Sequence, residues 1–120
     1  MAAVAAWSHR ARDGAAVDPM AVERNLARMQ VVERAHPGVL AVDLTACDAC
    51  TDAVAWAGNV HAPALFVLGE EDRMTSPRAA QSLRDAMPQA RVLTLPCGHA
   101  MMDEDPAAVA AALTSLARNI

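Results

Sequence analysis

Asp72 and His99 are the pair of side chains in this chain best suited to moving a proton together. A histidine acting as a base needs an acceptor on its other ring nitrogen, to fix the tautomer and to stabilise the imidazolium formed during transfer; a buried carboxylate does this best. Each residue follows a short apolar run: Leu65-Phe66-Val67-Leu68 leads into Gly69-Glu70-Glu71-Asp72, and Val92-Leu93-Thr94-Leu95 leads into Pro96-Cys97-Gly98-His99. If the two runs are parallel neighbouring strands, both side chains emerge at one edge of the sheet, where open α/β sheets place their ligands. The 27 positions between them are what one helix, one strand and their loops occupy.

An Asp-His pair is two thirds of a Ser-His-Asp unit, so the third member matters. The serines are Ser8, Ser76, Ser82 and Ser115, and the glycines are Gly14, Gly38, Gly58, Gly69 and Gly98. No two glycines frame a serine as a Gly-x-Ser-x-Gly strand-to-helix elbow requires.

The elements that must position the pair are legible around it. Pro63 opens the continuous apolar run Ala64 to Leu68, which Gly69 ends, as expected of a parallel strand covered on both faces. Ser76-Pro77 reads as the cap of a helix whose Ala80, Leu83 and Met87 share a face, and Pro88 stops it before a strand at about Arg91 to Leu95. The unit is β-α-β, for which a right-handed crossover is the rule. Asp105-Pro106 then predicts a helix to about Asn119, with Val109, Leu113 and Leu116 on one face.

Upstream, residues 1 to about 60 read as mainly helical. Asp18-Pro19 starts a helix in which Val22, Leu26, Met29 and Val32 recur at helical spacing, and His36-Pro37-Gly38 should end it. A shorter helix is expected from Cys50 to Ala57, stopped by Gly58. The chain therefore divides into a helical segment, 1–60, and a β-α-β-α segment, 61–120; the fold class is α/β with an incomplete sheet.

Composition narrows the function classes. At 120 residues the chain is one domain at most, able to bury roughly two thirds of its unfolded surface. Apolar residues make up 54% of it, yet Trp7, Trp56 and Phe66 are the only aromatics, so Ala, Leu, Val and Met must build the core. The formal net charge is −4 and the arginines form no basic face, which argues against nucleic-acid binding. The apolar start, Met1 to Trp7, lacks a basic n-region and is too short for a signal segment or a membrane span. A cytoplasmic location is the default expectation, and three cysteines make no disulfide framework.

Other chemistry-bearing residues read more simply. Cys47-Asp48-Ala49-Cys50 has redox or zinc spacing but no thioredoxin-like strand-helix context and no second ligand pair. His9, His36 and His61 are scattered, so no metal site is expected from them. Glu70 and Glu71 read as solvated turn residues, Met101 and Met102 as packing or pocket wall, and Asp103, Glu104 and Asp105 as charges favoured at a helix start.

On these residues the segment Pro63 to Ala117 resembles the C-terminal portion of an α/β-hydrolase fold. Gly69-Glu70-Glu71-Asp72 is similar to that family's Gly-x-x-Asp acid turn, and Gly98-His99 to its Gly-His turn; Asp72 to Pro77 and the acid-Pro helix start fit too. Residues 38–62 resemble the end of a lid, while the likeness thins over residues 1–37. The resemblance implies Asp72 as triad acid, His99 as base, no cofactor, and hydrolysis of an ester or similar small apolar substrate.

Four departures qualify what it implies. The nucleophile elbow, the oxyanion-loop glycines and the early strands are absent, so the chain alone is expected to be inactive and to meet a substrate only when completed by an N-terminal half. The turn Pro96-Cys97-Gly98-His99 also holds one residue fewer than members often have. The alternative is a non-catalytic module that self-associates or binds a partner through an open strand edge.

Overall fold

The computed structural model describes residues 19–118. In chain order these form α1 (Pro19–Ala35), α2 (Val39–Ala49), α3 (Ala53–Ala57), β1 (Leu65–Gly69), α4 (Gln81–Ala86), β2 (Arg91–Leu95), α5 (Met101–Glu104) and α6 (Pro106–Ala117). The two strands are parallel and adjacent, in the register Leu65↔Arg91 through Gly69↔Leu95. Both strands therefore end level with one another, and the two loops that follow leave from the same edge.

The β-α-β unit forms for the reasons its sequence suggests. The helix inside it starts later than the sequence predicts: Ser76 Oγ accepts the Ala79 N–H at 3.2 Å but caps only a turn over residues 77–80, and α4 begins at Gln81 with Ala80 at its N-cap and no side-chain cap. Asp105 caps α6 by accepting the Ala108 N–H at 2.9 Å, with Pro106 in the first helical position. Arg91 N–H donates to Ala64 O at 2.9 Å and Gln89 Nε2 to Val60 O at 2.7 Å, so the chain is pinned on both sides of the strand starts. α6 packs on β1 and α3 packs on α4.

The helical segment differs in detail from expectation. α1 ends at Ala35, before the Pro37-Gly38 corner, as the sequence requires; its proposed cap, Asp18, lies outside the described residues. The single helix expected over Cys50 to Ala57 is instead the short α3, and a longer α2 precedes it, with Cys50 as its extended C-cap (φ −77°, ψ 96°). The sequence does not mark α2, because Val39-Leu40-Ala41-Val42 is apolar on every side and shows no helical stripe. Its start is built by glycine: Gly38 sits at φ 86°, a conformation that other residues rarely adopt. Lacking a side chain to cap with, Gly38 is served by Glu33 of α1, whose carboxylate accepts Gly38 N–H at 2.6 Å and Leu40 N–H at 3.4 Å.

The core is small and made of small side chains. Among the described residues the buried apolar ones are Ala21, Ala57, Leu68, Ala80, Met87, Leu95, Cys97 and Ala112. The strands are less covered than a continuous apolar run implies: only Leu68 and Gly69 of β1 and Leu95 of β2 are buried. Leu65, Phe66 and Val67 stay half-buried, because two strands and the helices packed on them do not close over both faces.

Candidate active site

The level strand ends bring the acid and base turns together. Glu70 N–H donates to Leu95 O at 2.9 Å and Glu71 N–H to Cys97 O at 3.0 Å, carrying the sheet-like pairing past the last strand residues. Gly69 makes this approach possible. A Cβ there would collide with the backbone oxygens of Cys97 and Gly98, so no other residue fits without moving the base turn.

Asp72 is the one buried charged residue described, 7% exposed. Its Oδ1 accepts the Met74 and Thr75 N–H groups, each at 2.8 Å, which fixes the carboxylate plane. Its Oδ2 lies 2.9 Å from His99 Nδ1. With Oδ1 committed to two donors, Oδ2 acts as the acceptor for an Nδ1–H, and this leaves Nε2 as the proton-accepting nitrogen. The His99 ring is 44% exposed, so it is reachable from outside. The pair expected from the sequence is thus assembled, and the short base turn does not prevent it.

The acidic run after His99 does more than favour a helix dipole, because each of its members also has a specific partner. Asp105 is the cap of α6. Glu104 Oε1 accepts the Gly98 N–H at 3.0 Å, next to the histidine. Both oxygens of Asp103 lie 2.7 Å from Arg28 Nη1, tying α1 to α5. The Arg28 guanidinium is pushed above its ordinary pKa, first by the hydrogen bond to Asp103 and then by its charge. Arg28 therefore stays charged throughout the neutral range, and the link to α1 carries no dependence on its titration there.

The hydrogen bonds of the Asp72 and His99 side chains run to each other and to the Met74 and Thr75 amides, not to the other candidates. Ser76 Oγ caps a turn and Ser115 Oγ accepts from Arg91 at 3.2 Å; Ser82 is exposed on α4, and Ser8 lies outside the described residues. Cys47 and Cys50 are exposed free thiols at the end of α2, and Cys97 is a buried one. Among the described residues no three metal-ligating side chains cluster, and no helix is long and apolar enough to cross a membrane. Glu70 and Glu71 are exposed, Met102 is exposed and Met101 half-buried.

A level pair of parallel strands, each delivering one member of an Asp-His couple to the same edge, is a partial α/β architecture. The alpha/beta hydrolase family model matches residues 2–112, and the chain belongs to that family. The matched range takes in the N-terminal residues, where the motif-level likeness is thin, as well as both site turns. No curated protein and no solved structure matches the chain significantly.

Proposed function

We propose that this chain is the acid-base half of a serine-hydrolase-type enzyme, with Asp72 orienting His99 and the nucleophile supplied by a separate Gly-x-Ser-x-Gly segment. What supports this most is the hydrogen bond between His99 Nδ1 and the buried, doubly anchored Asp72 carboxylate. In the completed site His99 Nε2 takes the proton from the serine hydroxyl as its oxygen attacks an ester carbonyl. The imidazolium, stabilised by Asp72, then hands that proton to the departing alkoxide. Water, deprotonated by the same nitrogen, resolves the acyl intermediate and frees the serine. The substrate class is a small apolar ester or similar acyl compound, and the chemistry asks for no cofactor or metal.

Residues 1–60 act in this reading as part of a lid over the substrate. The chain is inactive alone, since losing the nucleophile costs about as much as losing all three members of such a unit, on the order of 10⁶ in turnover. The exposed free thiols Cys47 and Cys50 suit a reducing, cytoplasmic setting.

Sequencing the coding region adjoining the Met1 codon, followed by co-expression of whatever Gly-x-Ser-x-Gly segment it encodes, tests the proposal. Hydrolysis of p-nitrophenyl acetate that requires both segments and is lost in His99→Ala supports it. A stop codon with no such segment, or activity indifferent to His99→Ala, overturns it. The two-stranded sheet, whose strands among the described residues pair only with each other, favours one competing reading: self-association through a free strand edge. Concentration-dependent dimerisation in sedimentation, with no gain of activity on co-expression, is the result that would establish it.

A further inference from the structure

We propose that Glu104 is a positioning residue for the base: by holding the Gly98 N–H, it keeps His99 in the tautomer and place that Asp72 requires. The inference rests on the reading of His99 as the base, although the contact itself does not.

The turn after β2 has few backbone donors ahead of His99, and Cys97 and Gly98 each have a partner. Pro96 has no N–H, Cys97 N–H donates to Leu95 O at 2.8 Å, and Gly98 N–H donates to Glu104 Oε1 at 3.0 Å. On its other side the turn is held by Glu71 N–H at Cys97 O. Gly98 is buried, so without Glu104 its N–H would be left unsatisfied away from water. A glycine resists rotation about its own backbone less than any other residue, so the freed peptide would turn to seek another acceptor. His99 is the next residue and would turn with it, away from a carboxylate that Met74 and Thr75 hold still.

The neighbouring acids cannot substitute. Asp103 is engaged with Arg28 and Asp105 with the start of α6, so only Glu104 is directed to the base turn. The other acidic groups near His99 are Asp72, its direct partner, and the exposed Glu70 and Glu71 of the facing loop.

The test is nitrogen NMR of the full chain at a pH where the His99 ring is neutral, reading the fraction carrying its proton on Nδ1. Three variants separate the possibilities: Glu104→Ala, Glu104→Asp, which keeps the charge but is one methylene short, and Glu104→Gln, which keeps an acceptor oxygen without the charge. The expected result is a predominantly Nδ1–H ring in the native chain, loss of roughly half or more of that population in Glu104→Ala and Glu104→Asp, and recovery in Glu104→Gln. If Glu104→Ala fails to fold, Glu104→Asp carries the comparison. Native tautomer in Glu104→Asp, despite faster amide exchange at Gly98, overturns the proposal and leaves Glu104 a structural cap. A native His99 that shows no Nδ1–H preference, or none that Asp72→Ala removes, overturns the base assignment itself and the positioning role with it.

Discussion

The helices before residue 60 and the β-α-β segment after it are fastened by different means. In α1 to α3 the buried apolar side chains are Ala21 and Ala57, and α2 has none. The side-chain hydrogen bonds within this segment are short-range: Glu33 to the Gly38 and Leu40 amides, Thr45 to Ala41 O, Asn59 to Ala55 O. The second segment is laced by contacts between residues far apart in sequence, among them His99 to Asp72, Arg91 to Ser115, and the loop pairing beyond Gly69 and Leu95. The lesson is that the Asp-His geometry belongs to the second segment alone.

The largest expected effect comes from the acid. In Asp72→Asn the Met74 and Thr75 N–H groups claim the amide oxygen, turning the NH₂ toward His99 Nδ1, so the ring must carry its proton on Nε2 instead. Turnover of the co-expressed enzyme should fall about 10⁴-fold with little change in folding. Steady-state kinetics beside circular dichroism checks this, and near-native turnover would break the assignment.

Next is Gly69→Ala. The added methyl meets backbone rather than a yielding side chain, so stability should fall by about 3 kcal/mol in urea unfolding, and the His99 signals should shift as the base turn is pushed away. A loss confined to a few tenths of a kcal/mol would mean that the two turns are not interlocked. Asp105→Ala removes a side-chain cap and should cost about 1 kcal/mol, read as faster amide exchange in the first turn of α6.

The smallest effect is expected where the segments meet at the surface. Arg28 is 63% exposed, so Arg28→Ala should leave the unfolding midpoint nearly unchanged. It should quicken exchange in α1 while leaving residues 96–99 protected. If those residues also loosen, the helical segment has a share in holding the base, and the contrast between the two halves is weaker than drawn.

The parts readable from sequence were those governed by near neighbours. Pro63, Gly69 and Pro88 bound their elements, Asp105 caps its helix, and the four-residue spacing from each apolar run, ending at Leu68 and Leu95, to Asp72 and His99 points to a shared edge. What escaped lacked local signals. α2 has no stripe, α5 is only four residues long, and three consecutive acids look alike until their partners are known. Asp103 finds its partner 75 positions away, and Glu104 finds a backbone amide that carries no side-chain mark at all.

Because the methyl-sized space at Gly69 is filled by the carbonyl groups of Cys97 and Gly98, the acid turn and the base turn cannot be edited separately. A protein engineer moving this chemistry to another scaffold would have to transplant both strands in register, with their loops, as a single cassette. Natural variants should likewise tolerate change in the two turns only when it arrives in both at once.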